Sequence, residues 1–335
     1  MKKKIIAIVL VLGLICLAII KIFKDNSDPN KTLQEVKDNL TSYYMEANMT
    51  LYNGEDQREF IVSVAYDKED DNDLFKVSLF DKGINQEQII IKNKNGVYVI
   101  SPALNQVYEF NGSWPMNSPK PYIYQSMIDL VEGEYELKKV DEGYLITSTP
   151  KFDNKIQWMT QEIKFDKEYK PMYLNIYDKN HDLSLNLVVN KMEINKDFDD
   201  NYFDVNSSIE LSRNNNTFTS AVTEDELPFL PVNSQVTSSL KESSTFDMNG
   251  STYFMLTYEG EKPFTMVQRL LKDNEELTLS NIDGKLVDLI NGVGIYHDGI
   301  LTYCYNNVEY NLYSNVLNLD EMIELANGIE VSYSK

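Results

Sequence analysis

Three consecutive segments of the chain alternate apolar and polar residues with a period of two. They are "IQWMTQEIKFD", "PMYLNIYD" and "LSLNLVVNKMEIN", and short polar turns separate them within residues 156–195. An extended segment with this pattern has one apolar face and one polar face, which is typical of half-buried antiparallel strands. The turns are too short to hold a crossover helix, so the strands pair as hairpins. The pattern therefore predicts a largely antiparallel sheet.

Similar strand-like runs occupy most of the chain before these segments. They extend from "MEANMTLYN" to "NQVYEF", with turn pairs such as Asn53-Gly54 and Asn95-Gly96 between them. Residues 29–44 and 122–132 instead repeat apolar residues at three- and four-residue steps and predict two helices. About eleven strands with two helices predict an α+β fold. We expect a strongly curved antiparallel β-sheet, in effect an incomplete barrel, with helices covering its concave side.

Composition divides the chain into four parts. Residues 1–24 are apolar and basic, and residues 25–211 contain the strand-rich pattern. Residues 212–228 are polar and aperiodic, which predicts a linker. Residues 229–335 contain further strand-like runs and end in a helical segment that Gly328 stops. They predict a smaller α+β domain.

The N-terminal part has the pattern of a membrane anchor. Three lysines precede sixteen uncharged, mostly apolar residues, Ile5–Ile20. Lys21 follows them, and its long side chain can place its charge outside the bilayer, so the apolar stretch continues to Phe23. Basic residues ahead of such a segment keep that end in the cytoplasm. We therefore expect a single-pass protein of the cell membrane, anchored through residues 5–23, with its bulk outside the cytoplasm.

Cys16 offers an alternative to an uncleaved anchor. Bacterial lipoprotein signals place a lipidated cysteine after an apolar run, with a small residue directly before it. Here Ile15 precedes Cys16, and no small-residue cleavage site follows the segment. An uncleaved anchor is thus the main interpretation, and lipidation of Cys16 is the secondary one.

The chain is strongly acidic, with a formal net charge of −21. Its first 24 residues contain lysines and no acidic residue, so the acidic excess lies in the part that follows. Such a surface repels phosphate backbones and anionic headgroups, which argues against nucleic acid as a partner. The charge is that of a soluble outward-facing domain, and it also suits a basic partner.

Few residues in this sequence are suited to catalysis or metal binding. His181 and His297 both lie in turn-like stretches, and no GxSxG or phosphate-binding motif accompanies them. The acidic turn at residues 67–73 lacks the spacing of an EF-hand. Cys304 lies in a strand-like run without a cysteine near it, which indicates a small buried residue. We expect no enzyme activity, no cofactor and no metal.

A proline-rich stretch joins the first series of strands to the second helical segment. It contains Trp114-Pro115, Pro119 and Pro121. Prolines stiffen such a crossing and lower the entropy that is lost when it becomes ordered. In one interpretation Trp114 is a structural plug at one end of the concave face. In the other, an aromatic and methionine rim forms a groove for an acyl chain or a partner segment. The rim consists of Trp114, Tyr122, Tyr124 and Met127.

Two parts of the sequence resemble the LolA/LolB-type lipoprotein carriers. One is the strand-turn-strand "NGVYVISPALNQVYEF". The other is "EIKFDKEYKPMYLNIYDKNHDLSLNLVVNKMEINKDFDDNYFDV", in which one strand ends at Asp166 and the next starts at Pro171. The likeness covers residues 30–210. It implies an incomplete β-barrel with helical lids and an apolar interior, as in RseB-type envelope regulators and the germination lipoprotein GerS of spore formers. The C-terminal part resembles a small extracytoplasmic domain that follows such carriers.

The resemblance implies a non-catalytic binding or accessory protein, with a protein partner or a lipid acyl chain in an apolar concavity. The chain contains only three arginines, a composition typical of low-GC bacteria, which favours sporulation or spore germination. An RseB-like envelope sensor of lipid or lipoprotein and a cell-wall enzyme are the alternatives. The carriers hold their lids shut with an arginine in the second long strand. This chain departs from that pattern, with Lys68 and Lys76 after Arg58.

Overall fold

The computed structural model describes most of the chain after its N-terminal segment. The described residues are 29–53, 56–69, 72–110, 114, 120–129, 134–151, 158–215, 222–231, 236–271, 278–281, 284–289 and 292–329. The predicted anchor at residues 5–23, which includes Cys16, lies outside them. Within these ranges no helix is long and apolar enough to cross a membrane.

The N-terminal half forms the antiparallel sheet that the alternating segments predict. Its eleven strands among the described residues are β1 (Ser42–Asn53), β2 (Asp56–Glu69), β3 (Asn72–Asp81), β4 (Gln86–Lys92), β5 (Val97–Ser101), β6 (Gln106–Phe110), β7 (Tyr135–Val140), β8 (Gly143–Ser148), β9 (Trp158–Phe165), β10 (Pro171–Asp178) and β11 (Leu183–Ile194). Strands β1 to β6 pair in chain order, as do β7 to β11, and β1 pairs with β11. That pairing joins the two series into one curved, open sheet, and the predicted fold class is confirmed.

Three described helices accompany this sheet: α1 (Pro29–Asp38), α2 (Tyr124–Ile128) and α3 (Val205–Asn215). The predicted helix over 29–44 was wrong in its second half. Tyr43 lies in β1, where it shares one face of the strand with Met45 and Ala47, and all three are buried. The helix predicted over 122–132 is described only as α2, since residues 130–132 lie outside the described ranges.

The sequence did not predict α3. The Asp204 carboxylate caps this helix, because its Oδ1 accepts a hydrogen bond of 2.8 Å from the backbone N–H of Ser207. Ile209 packs against outward-facing residues of β4 and β5. The last turn of α3 thus occupies the beginning of the stretch 212–228 that we assign to a linker. The division of the chain into domains stays a prediction.

Helices cover both faces of the N-terminal sheet, and the apolar core on the inner face is larger than the apolar clusters on the outer face. The inner face is defined here by the buried side chains of the central strands, namely Tyr43, Met45, Ala47, Met49, Phe60, Val62, Val64, Tyr66, Phe75, Val77, Ile90, Val97, Val99, Leu174, Ile176, Leu185 and Leu187. α1 and α2 contribute Leu33, Met127 and Ile128 to this core. The opposite, outer face has two smaller apolar clusters, one of which α3 covers.

The C-terminal half forms a second antiparallel sheet. Its strands are β12 (Ser238–Met248), β13 (Ser251–Gly260), β14 (Phe264–Leu270), β16 (Lys285–Leu289), β17 (Gly292–His297), β18 (Ile300–Tyr305) and β19 (Val308–Tyr313), in the order β12-β13-β14-β19-β18-β17-β16. Helix α4 (Leu319–Asn327) packs on it through Met322 and Leu325. Gly328 ends α4, as the sequence predicts, and the Asn318 side chain caps its start.

One strand of the C-terminal half belongs to the N-terminal sheet. β15 (Thr278–Asn281) pairs in parallel with β6, so that Thr278 lies opposite Gln106. It is the twelfth strand of that sheet and lies at its edge. The two halves of the chain are therefore joined by main-chain hydrogen bonds as well as by side-chain contacts.

Candidate binding interior

The four residues predicted to rim a groove lie together over the inner face. Trp114, Tyr122, Tyr124 and Met127 are 1%, 6%, 1% and 0% exposed. All four belong to the same core as the inward-facing strand residues. We call Trp114 together with residues 120–129 the lid. In this conformation the lid fills the interior, and the predicted role of the four side chains in binding stays a prediction.

Aromatic rings join the lid to the strands beneath it. The Tyr124 and Tyr43 rings make an edge-to-face contact with centroids 5.6 Å apart. Trp114 meets Phe75 of β3 in a similar contact at 6.4 Å. Such pairs add to the stabilisation that burial of their apolar surface provides. The Trp114 Nε1 atom is buried without a hydrogen-bond acceptor among the described residues.

Tyrosine hydroxyls latch the lid to the sheet. The Tyr43 hydroxyl donates to Oε1 of Gln125 at 2.8 Å and accepts from the backbone N–H of Tyr124 at 3.2 Å. The Tyr124 hydroxyl donates to the backbone carbonyl of Tyr169 at 2.8 Å. The lid is thus held by paired polar groups inside an apolar core, where each unmade hydrogen bond costs free energy.

Burial keeps these hydroxyls protonated. It raises the pKa of both Tyr43 and Tyr124 well above the ordinary value of 10.0. One ion pair also joins the lid to α1, between Lys37 and Asp129 at the end of α2, and it is partly exposed. The latch therefore consists mainly of neutral hydrogen bonds and stays formed across the physiological pH range.

The carriers' arginine has no equivalent at this latch. Lys68 is exposed, and Lys76 points to the outer face, where its ammonium lies 4.8 Å from the ring centroid of Tyr202. Arg58 instead points at the C-terminal half, with its guanidinium carbon 4.6 Å from the ring centroid of Tyr305. The lid is held by tyrosines where the resemblance implies an arginine.

The C-terminal half closes the inner face at its other end. The contact, which we call the seam, joins the β3–β6 end of the first sheet to β17, β18 and β19 of the second. Gln88 Oε1 accepts from the backbone N–H of Val293 at 3.0 Å, and Gln86 Nε2 donates to Asn307 Oδ1 at 2.8 Å. Val293 belongs to the core of the first sheet, and Ile84 to the core of the second. The two cores thus interlock.

Gly292 lies where a side chain would not fit this contact. Its φ is +135°, and a Cβ built there would lie 2.7 Å from Gln88 Oε1. The backbone conformation therefore favours glycine, and a side chain here would also displace the Gln88 amide. The "GVG" at 292–294, which is too short for a phosphate loop, has a structural function at the seam.

The histidines and the cysteine lie away from the lid. His181 is exposed in a turn and His297 is exposed at the end of β17. No group of three or more potential metal ligands occurs among the described residues. Cys304 lies at the seam, with its Sγ 3.4 Å from the hydroxyl of Tyr108. Burial raises the pKa of the Cys304 thiol to about 12. A thiol this weakly acidic is a poor nucleophile at neutral pH.

Sequence reasoning identified the lid and missed its latch and the seam. Tyr43 was assigned to a helical stripe, and Tyr169 lies between two predicted strands, so neither position predicts a bond to a segment far away in the chain. The "NN" pair at 306–307 predicts a two-residue hairpin turn. Its insertion against Gln86 depends on tertiary packing, which has no local sequence signal.

No family model matches the chain. The chain is similar to "Sporulation protein YdcC" of Bacillus subtilis, with 28% identity over 316 residues, which cover 93% of this chain and 92% of that protein. The match thus includes both halves described above.

Among solved structures, the chain is similar to the MucA/MucB complex of Pseudomonas aeruginosa, with 12% sequence identity and a TM-score of 0.33. The match covers 91% of this chain and 99% of that chain. It is also similar to a putative outer membrane lipoprotein-sorting protein domain from Vibrio parahaemolyticus, with 14% identity, coverage of 54% and 97%, and a TM-score of 0.31.

Proposed function

We propose that this protein is a membrane-anchored, extracytoplasmic accessory protein that acts in sporulation and binds a ligand without catalysing a reaction. The observation that carries the proposal is the similarity to the Bacillus subtilis sporulation protein over nearly the whole length of both chains. A match of that extent spans both halves of the chain, so it supports a common overall role.

The interior supports binding of an acyl chain or an apolar segment of a protein. The inner face is a continuous apolar surface, and the lid residues that cover it are themselves aromatic or apolar. When the lid moves away, this surface becomes available to a ligand of the same chemistry. Trp114, Tyr122, Tyr124 and Met127 would then contact the ligand from one side.

A genetic experiment tests the role in sporulation. The gene is deleted from its host, and the yield of heat-resistant spores is measured against the parent strain. We expect the yield to fall and a plasmid copy of the wild-type gene to restore it. The His181→Ala and His297→Ala variants should restore it equally well. A normal spore yield in the deletion strain would reject the sporulation role, and failure of a folded histidine variant would favour an enzyme.

A binding experiment tests the interior independently of the host. The probe is a fluorescent fatty acid whose emission rises in an apolar site, titrated into residues 25–335. We expect saturable binding, and tighter binding by Tyr43→Phe, which weakens the latch. Tyr44→Phe is the control, because Tyr44 faces outward and bonds Glu46. If none of the proteins binds the probe, an acyl ligand is excluded, and affinity capture from sporulating cells tests for a protein partner.

The anchor requires its own measurement. Intact mass spectrometry of the protein from the membrane fraction should give a chain that begins at or near Met1. Cys16→Ser should leave the membrane association unchanged. A mature chain that begins at a diacylated Cys16 would replace the anchor by a lipid modification, while the rest of the proposal would stand.

A further inference from the structure

We infer that the seam contains a small internal site that binds ordered water through the side-chain amide of Asn306. Asn306 is 1% exposed, and neither its Nδ2 nor its Oδ1 atom has a hydrogen-bond partner among the described residues. A buried amide needs partners for both atoms, because removal from water without them is costly. The partners must therefore lie in the space beside this side chain.

The backbone fixes where the amide points. Asn306 and Asn307 form the two-residue turn between β18 and β19, with φ values of 49° and 62°. A turn of this type requires positive φ at both positions, which asparagine tolerates. The neighbouring Asn307 amide already bonds Gln86 of the first sheet at 2.8 Å. That bond holds the turn against β4 and prevents Asn306 from turning out to solvent.

A cavity of about 50 Å³ adjoins Asn306. One water molecule needs roughly 10–15 Å³ of such space, so the cavity has room for about three. The polar side chains that line it come from both halves of the chain and include Asp81, Gln86, Glu87, Gln88, Ser101, Asn306 and Asn307. A buried water typically makes two to four hydrogen bonds, and a lining of this kind can supply them. The cavity is too small for an acyl chain, so this site is separate from the proposed ligand interior.

Water in this position would connect the two sheets. Asp81 and Ser101 belong to the first sheet and Asn306 to the second, so a water bonded to Asn306 and to either of them bridges the seam. Arg58 adds a further polar group near this site, since its guanidinium stacks on Tyr305 and its charge acts on Asp81. The seam is therefore partly held by solvent-mediated hydrogen bonds, which are nearly as favourable as direct ones.

A crystal structure of the full-length protein at a resolution that shows solvent tests the site directly. We expect solvent density within hydrogen-bond distance of both Nδ2 and Oδ1 of Asn306. A cavity without density would overturn the inference, as would direct protein partners for both amide atoms.

A pair of variants tests it by stability. Asn306→Gly keeps the positive-φ turn and removes the amide, and Asn249→Gly is the matched control, because Asn249 has a φ of 52° in the exposed β12–β13 turn. If water satisfies the amide, Asn306→Gly leaves the water short of partners and lowers Tm by about 2–4 °C relative to the control. If the cavity is dry, the buried amide has no hydrogen-bond partner, and its removal also removes the free-energy cost of burying it. Tm then stays level or rises, which contradicts the inference.

Discussion

The inner face of the N-terminal sheet is closed at two places, and the lid and the seam differ in how their polar groups are paired. At the lid, the hydroxyls of Tyr43 and Tyr124 have protein partners inside an aromatic core. At the seam, the Asn306 amide and Nη1 of Arg58 are buried without protein partners among the described residues. Two lid atoms, Trp114 Nε1 and Gln125 Nε2, also lack a partner among those residues. The seam differs in having a cavity beside its unpaired amide, where water can complete the hydrogen bonds and exchange with solvent. We therefore expect the seam to separate more easily than the lid.

The first prediction removes the largest buried side chain of the lid. Trp114→Ala should lower the free energy of unfolding by about 3–5 kcal/mol, because it loses transfer energy and leaves a cavity. Urea unfolding followed by circular dichroism measures the loss. Trp158→Ala is the control, since Trp158 is only partly buried at the edge of the same core.

Two other outcomes of this experiment are informative. Near-native stability together with a loss of ligand binding would make Trp114 a contact residue for the ligand. No change in either property would show that the lid does not depend on this side chain.

The second prediction tests the latch. Tyr43→Phe keeps the ring and removes the hydroxyl, which leaves Gln125 Oε1 and the Tyr124 N–H without this partner. The free energy of unfolding should fall by about 1–3 kcal/mol. Tyr44→Phe, on the outer face, should lower the free energy of unfolding by less. Equal losses in the two variants would mean that the Tyr43 hydroxyl has no special role at the lid.

The third prediction concerns the seam and pH. Burial raises the pKa of Asp81 above its ordinary value of 3.8, while Arg58 lowers it in part. The folded protein therefore holds the Asp81 proton more tightly than the unfolded chain does. The contribution of Asp81 to stability is largest at pH values below 3.8 and is lost as the pH rises through the pKa of the folded state.

Asp81→Asn keeps an oxygen that can accept from the backbone N–H groups of Gly83 and Ile84 and removes the titration. The variant should show a smaller loss of stability with rising pH above 3.8 than the wild type. Urea unfolding measured at a series of pH values checks this. Identical slopes for the two proteins would show that Asp81 titrates alike in the folded and unfolded states.

The smallest effect is expected at the surface of the lid. Lys37→Ala removes the ion pair with Asp129, whose side chains are 32% and 47% exposed. Exposed pairs of this kind contribute roughly 0–1 kcal/mol, and salt screens them. Lys82→Ala, which removes a similarly exposed pair with Glu59, is the control. If Lys37→Ala lowers the free energy of unfolding as much as Tyr43→Phe does, the ion pair holds the lid as strongly as the Tyr43 hydroxyl.

The two closures also differ in what the sequence reveals. The aromatic and proline content of residues 111–127 identified the lid, because burial of large apolar side chains has a local signal. The extent of the first helix was mispredicted at Tyr43, which fits both a helical stripe and an alternating strand. α3 was missed because its segment "VNSSIELSRNN" is mostly polar and buries little beyond Ile209, Ser208 and Ser212. The seam depends on pairs far apart in the chain, such as Gln86 with Asn307, and no local pattern encodes them.

The parallel pairing of β15 with β6 constrains how the protein is made. Because synthesis begins at the N-terminus, the β6 edge is made long before residues 278–281. An open strand edge offers unpaired backbone groups to any other extended chain. The nascent protein therefore passes through a stage in which its first sheet is complete except for one border, and the cell must keep such molecules apart until the C-terminal half arrives. A segment that is made late in synthesis thus covers the open edge of the first sheet.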